Sequence, residues 1–150
     1  MQLASGDHWV SYGRTVVEIL RPEGTLTVRS APGADTASWP WPTAQAVHIL
    51  TAWNPGPERP GPAINRTRQA ALETDLRPMA STLVAAAGVD PVTGRREEGV
   101  AVIGVAESVV LALGARYGQD AVFVWTPAEW SIVGCHGEPR LTSGWSLEDL

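Results

Sequence analysis

Val47-His48-Ile49-Leu50-Thr51-Ala52-Trp53-Asn54-Pro55 reads as a buried strand that halts at an Asn-Pro turn. A residue before proline is pushed toward extended geometry, and an Asn side chain finds partners on the local backbone, so the strand ends there. Loop 54–62, Asn-Pro-Gly-Pro-Glu-Arg-Pro-Gly-Pro, is stiffened by four prolines, and a helix over 63–77 follows, opening with Ile64-Asn65-Arg66-Thr67-Arg68. A strand end, a rigid loop and a helix N-terminus together present backbone N–H groups and polar side chains at one rim. That rim is where a site is expected.

Working outward, Thr15–Leu20 and Leu26–Arg29 are β-rich runs joined by Arg21-Pro22-Glu23-Gly24, and they read as a hairpin. Residues 81–87 and 100–105 form two further apolar runs, separated by the polar connection 89–98. A second helix is expected over 107–117, with Val109, Val110, Leu113 and Tyr117 on one face and Gly118 as its stop. Strands 121–125 and 130–133 follow. Residues 1–13 read as an N-terminal arm, 14–134 as a single α+β domain and 135–150 as a C-terminal tail. The order predicts a mixed β-sheet with two helices in a β-α-β-β-α-β core plus an N-terminal hairpin, similar to ferredoxin-like folds. A three-layer α/β arrangement is the alternative, because strands 47–53 and 100–105 are apolar on both faces.

The chain has 150 residues, 44% hydrophobic and 18% charged, enough for one domain that buries roughly 70% of its unfolded surface. The longest apolar run, Val100 to Ala115, is interrupted by Glu107 and Ser108, so no bilayer span is expected. Residues 1–6 lack a signal-peptide layout, and the single cysteine argues against a disulfide scaffold. A cytoplasmic location is the expectation. All 11 basic residues are arginine, which removes lysine-dependent chemistry such as a Schiff base or a phosphate-loop lysine. His8, His48 and His136 show no metal-binding spacing, so neither a metal nor a cofactor is expected. The net charge of −5 opposes binding to nucleic acid or anionic lipid. A homo-oligomer is compatible with this composition.

At 100° per residue, helix 63–77 sets Ile64, Ala71, Leu72 and Leu76 in one stripe, with Asn65 and Arg68 inside it. Arg68 is either a clamp for an anionic group or a stem lying over the core with its head in water or on Glu97. Glu97 stands just before an apolar strand and is the candidate proton acceptor; Thr51, Asn54, Asn65, Arg68 and Gln119 are the candidate binding residues. Cys135-His136 juxtaposes a nucleophile and a base, but neighbours on extended chain point to opposite faces.

The strings Ile49-Leu50-Thr51-Ala52-Trp53-Asn54-Pro55, Asn65 with Leu72, Glu97 with the strand to Gly104, and Tyr117-Gly118-Gln119-Asp120-Ala121 resemble the bacterial domain of unknown function 3293 family. The resemblance runs from about Tyr12 to Val133 and implies no activity. The expectation is a small-molecule-binding protein for an anionic or amide-bearing ligand, leaning toward a cofactor-independent enzyme of specialised metabolism. The alternative is a non-catalytic protein-protein interaction module using exposed tryptophans such as Trp39, Trp41 and Trp145.

Overall fold

Eight strands close on themselves into an antiparallel barrel, in the cyclic order β1-β2-β8-β7-β6-β3-β5-β4. The computed structural model describes residues 5–55 and 59–148, with side chains from Trp9 onward. The strands are β1 (Val16–Arg21), β2 (Gly24–Ala31), β3 (Val47–Leu50), β4 (Thr82–Val89), β5 (Arg96–Ile103), β6 (Ala121–Trp125), β7 (Trp130–Gly134) and β8 (Arg140–Glu148). Helix α1 (Ser5–Arg14) precedes β1, α2 (Pro62–Leu76) joins β3 to β4, and α3 (Glu107–Arg116) joins β5 to β6.

The barrel overturns the expected mixed sheet, and with it the three-layer alternative. Strands β3 and β4, linked through α2, are not neighbours; β5 inserts between them and pairs with both in antiparallel register. The hairpin β1–β2 attaches to β4 on one side. On the other, β2 pairs with β8, placing Val28 opposite Leu147. Thus the stretch read as a tail carries the strand that closes the ring, and closure leaves no sheet edge exposed.

Closure also explains why the central strands are apolar on both faces. Val47 and Ile49 of β3, Ala101 and Ile103 of β5, and Trp125 of β6 belong to the barrel interior. Their chain neighbours Leu50, Val100, Val102, Val122 and Val124 face outward and pack with Leu72 and Leu76 of α2 and Val110 and Leu113 of α3. Each strand is covered by side chains within the barrel and by helices outside it.

An eight-stranded barrel is just wide enough for side chains to fill. One end is filled by tryptophan: Trp125 meets Trp39, Trp41, Trp130 and Trp145 at centroid distances of 5.0, 6.3, 6.0 and 5.3 Å, all edge-on. Such pairs add about 0.5–1.5 kcal/mol each beyond the area they bury. Of the tryptophans expected on the surface, Trp145 (0% exposed) and Trp41 are buried, and Trp39 is half-buried against the same cluster.

The phase of α2 also differs from expectation. Its buried residues are Asn65, Gln69, Leu72 and Leu76, whereas Ile64 is 55% exposed and Ala71 lies outside. The apolar half of the buried face packs on the barrel, and the polar half is used to hold the loop that leaves β3.

Candidate functional site

At the end of the barrel opposite the tryptophans, small residues occupy positions that would otherwise be filled. Gly88 lies opposite both Val17 and Glu97, and Gly99 lies opposite Ala86. With Ala121 at the start of β6, these residues line a cavity of about 120 Å³. Val17, Ile49 and Phe123 form its apolar wall. Its polar wall includes Thr51, Asn54, Glu97, Gln119, Asp90 and Asp120, with Arg59 and Arg95 as further lining residues.

Glu97 shares the inner face of β5 with Gly99 and Ala101, which aims its carboxylate into the barrel mouth, while Glu98 takes the outer face. The side-chain amide of Asn54 donates to Glu97 Oε2 at 2.7 Å. Asn54 has a left-handed backbone (φ 48°) held by a reciprocal pair with Asn65: its N–H donates to Asn65 Oδ1, and Asn65 Nδ2 donates to Asn54 Oδ1, each at 3.0 Å. Gln69 reinforces the same loop by accepting the Ala52 N–H at 2.9 Å. The Thr51 hydroxyl donates to the carbonyl of Glu98 and accepts the N–H of Trp53 at 3.0 Å.

Gln119 reaches the rim because α3 ends at Gly118, whose positive φ (76°) turns the chain there. A Cβ at Gly118 would lie 2.5 Å from that of Pro55, so glycine also permits the two loops to touch. Gln119 Nε2 then donates to the Trp53 carbonyl at 3.0 Å.

Of the six residues expected at the site, Thr51, Asn54, Glu97 and Gln119 line the cavity. Asn65 and Arg68 do not. Asn65 is buried behind the loop, and Arg68 donates to the carbonyls of Ala52 (3.3 Å) and Tyr117 (2.8 Å), with its guanidinium 5.7 Å from the Tyr117 ring centroid. Neither the ligand clamp nor the pairing with Glu97 describes Arg68; it ties the loop after β3 to the end of α3.

Residues the sequence reading omitted arrive from α1 and the β4–β5 connection. Tyr12 enters the cavity wall from α1, edge-on to Phe123 at 6.3 Å. Burial, with the negative charges of Asp120 and Glu97 nearby, pushes its phenol well above the usual range, so it stays protonated. Asp90 binds Arg14 through two hydrogen bonds (2.9 and 2.8 Å) and accepts from Ser11 (3.1 Å), fastening α1 across the mouth. These bonds hold the Asp90 carboxyl well below the usual carboxylate range. Asp90 also accepts the Val92 N–H at 2.9 Å, a turn signature present in Asp90-Pro91-Val92. No local pattern marks Tyr12.

Cys135 is buried, and burial followed by the charge of Asp120 pushes its thiol up to about 12, while His136 is exposed. That pair cannot act as nucleophile and base. Among the described residues, no three of His, Cys, Asp and Glu converge to hold a metal ion, and no helix is long and apolar enough to cross a membrane.

Fold and site define a small closed antiparallel barrel with a polar, helix-capped mouth of ligand size. Residues 50–122 match the family model described as "Protein of unknown function (DUF3293)", the family named by the resemblance, over a shorter stretch than Tyr12 to Val133. No curated protein and no solved structure matches the chain. The matched stretch contains all six expected residues, whereas α1 and strands β1, β2, β7 and β8 lie outside it.

Proposed function

We propose that this protein binds a small molecule in the barrel mouth and acts on it by cofactor-independent acid/base chemistry, in the cytoplasm. The observation that carries this reading is an inward-facing carboxylate, Glu97, at a cavity of about 120 Å³ and positioned by Asn54. A carboxylate so held can take a proton from a ligand within hydrogen-bond reach. Thr51, Asn54 and Gln119 orient the ligand, and Arg95, which lines the same cavity, replaces Arg68 as the cationic group beside an anionic or amide-bearing portion.

A metabolite-library thermal-shift screen on the wild type and on Ala121→Leu tests the proposal. The larger side chain fills the cavity from a position that needs no polar partner. A ligand that raises the melting temperature of the wild type and not of Ala121→Leu is expected, because stabilisation follows affinity for the native state. Equal shifts in both proteins, or none, would overturn it.

A further inference from the structure

The side-chain donors around the polar wall of the cavity are turned toward the protein itself. The Ser11 hydroxyl and the Arg14 guanidinium donate to Asp90, the Thr51 hydroxyl to the Glu98 carbonyl, and Asn54 Nδ2 to Glu97 Oε2. Gln119 Nε2 donates to the carbonyls of Trp53 (3.0 Å) and Tyr117 (3.3 Å), which occupies both of its N–H groups. Tyr12, Arg59 and Asp120 line the same cavity and have partners of their own. What faces the cavity is therefore acceptor. Glu97 Oε1 and Gln119 Oε1 have no partner among the described residues, and neither atom is sealed inside the protein. Consecutive residues hold these two side chains at one stretch of the rim, Trp53 through its carbonyl and Asn54 through its side-chain amide. Val17, Ile49 and Phe123 supply the apolar wall beside them.

We infer that the seated end of the ligand is a cationic N–H group, an amidinium or ammonium on a short apolar body, donating to Glu97 Oε1 and Gln119 Oε1. This rests on the small-molecule reading of the same cavity and names the head group that reading leaves open. Hydrogen bonds between an N–H cation and a carboxylate are about twice as strong as neutral ones, so Glu97 selects a charged donor. A carboxylate or carbonyl in the same place would bring lone pairs against lone pairs and leave both acceptors unmatched, which disfavours it. Arg95 is exposed at the outer rim and meets what projects from the mouth, not what is seated within it.

The test titrates the full chain with pentanamidine, pentanamide and pentanoate, which share a body and a planar head but carry donors only, a donor with an acceptor, and acceptors only. Pentylamine is the ammonium arm. Calorimetry should show pentanamidine or pentylamine binding about tenfold or more tightly than pentanamide, with pentanoate weakest. Glu97→Gln should bring the four affinities within a few-fold of one another, Arg95→Ala should leave their order unchanged, and Ala121→Leu should abolish binding of all four. The melting temperature of each variant without ligand verifies that it is folded, and the wild-type order decides the matter even where a variant is not. Pentanamide or pentanoate binding as tightly as the cations overturns the assignment. So does a preference for cations that survives Glu97→Gln or Ala121→Leu, which would be attraction to the acidic surface. Failure of all four probes, with an Ala121-dependent shift from a ligand of the metabolite library, overturns the donor assignment and leaves the cavity reading standing. Failure of the library as well removes both.

Discussion

The Asn54 side chain donates to the Glu97 carboxylate across 2.7 Å, and it does so from a backbone conformation that Asn65 enforces. Position 97 is thus controlled from the N-terminus of α2 through one intervening residue. Without Asn65, the Asn54 N–H and Oδ1 both lose their partners.

Asn65→Ala should therefore destabilise the protein rather than merely weaken ligand binding. Loss of a buried amide that satisfies two groups is expected to cost about 1–3 kcal/mol, and each kcal/mol lowers the melting temperature of a domain this size by about 2–4 °C. Arg68→Ala should also lower it, through the released carbonyls of Ala52 and Tyr117. Calorimetric scans without ligand decide the matter; unchanged melting temperatures would return both residues to a ligand-binding role.

Glu97→Gln keeps the size of the side chain and an acceptor for Asn54 while removing the charge. Folding should be retained. With a substrate in hand, turnover should fall by about 10²–10⁴-fold, the usual contribution of a general base. Turnover within a few-fold of wild type would exclude Glu97, and Glu98, which faces away from the cavity, offers no substitute.

Asp90→Asn should loosen α1 from the barrel mouth. Because the folded state holds the Asp90 carboxyl below its unfolded value of about 3.9, the pair's contribution is complete above that pH and disappears only as the pH falls through the depressed folded value. Hydrogen exchange of amides 9–14 should accelerate in the variant at neutral pH, and in wild type only in strong acid. Equal exchange in the two proteins at neutral pH would show that Asp90 does not fasten the helix.

His48 gives a second, milder pH dependence. It lies on the outer face of β3, buried beside Glu107 at 3.9 Å, and burial lowers its pKa, with Glu107 opposing and Arg140 assisting the shift. The unfolded chain thus gains a proton first as pH falls below about 6.5, so stability should decline from there until the folded value is reached. His48→Leu should flatten that decline in urea titrations at successive pH values. An unchanged slope would assign the effect elsewhere.

The individual elements were legible because their causes are local. The Pro-Gly turn joins β1 to β2, Asn-Pro ends the run that begins with β3, and Gly118 stops α3, each acting within a few residues. Four of the cavity residues were legible for the same reason: Thr51, Asn54, Glu97 and Gln119 stand at strand or helix ends, where polar side chains reach a rim. Closure was not, since Val28 meets Leu147 from opposite ends of the chain and no local period encodes that pairing. A strand apolar on both faces has the same pattern whether its second cover is a helix layer or the inside of a barrel. Arg68 shows the limit most sharply: its helical position placed it near the rim, but the carbonyls of Ala52 and Tyr117, brought together only by packing, decided that its charge serves the fold instead of the cavity.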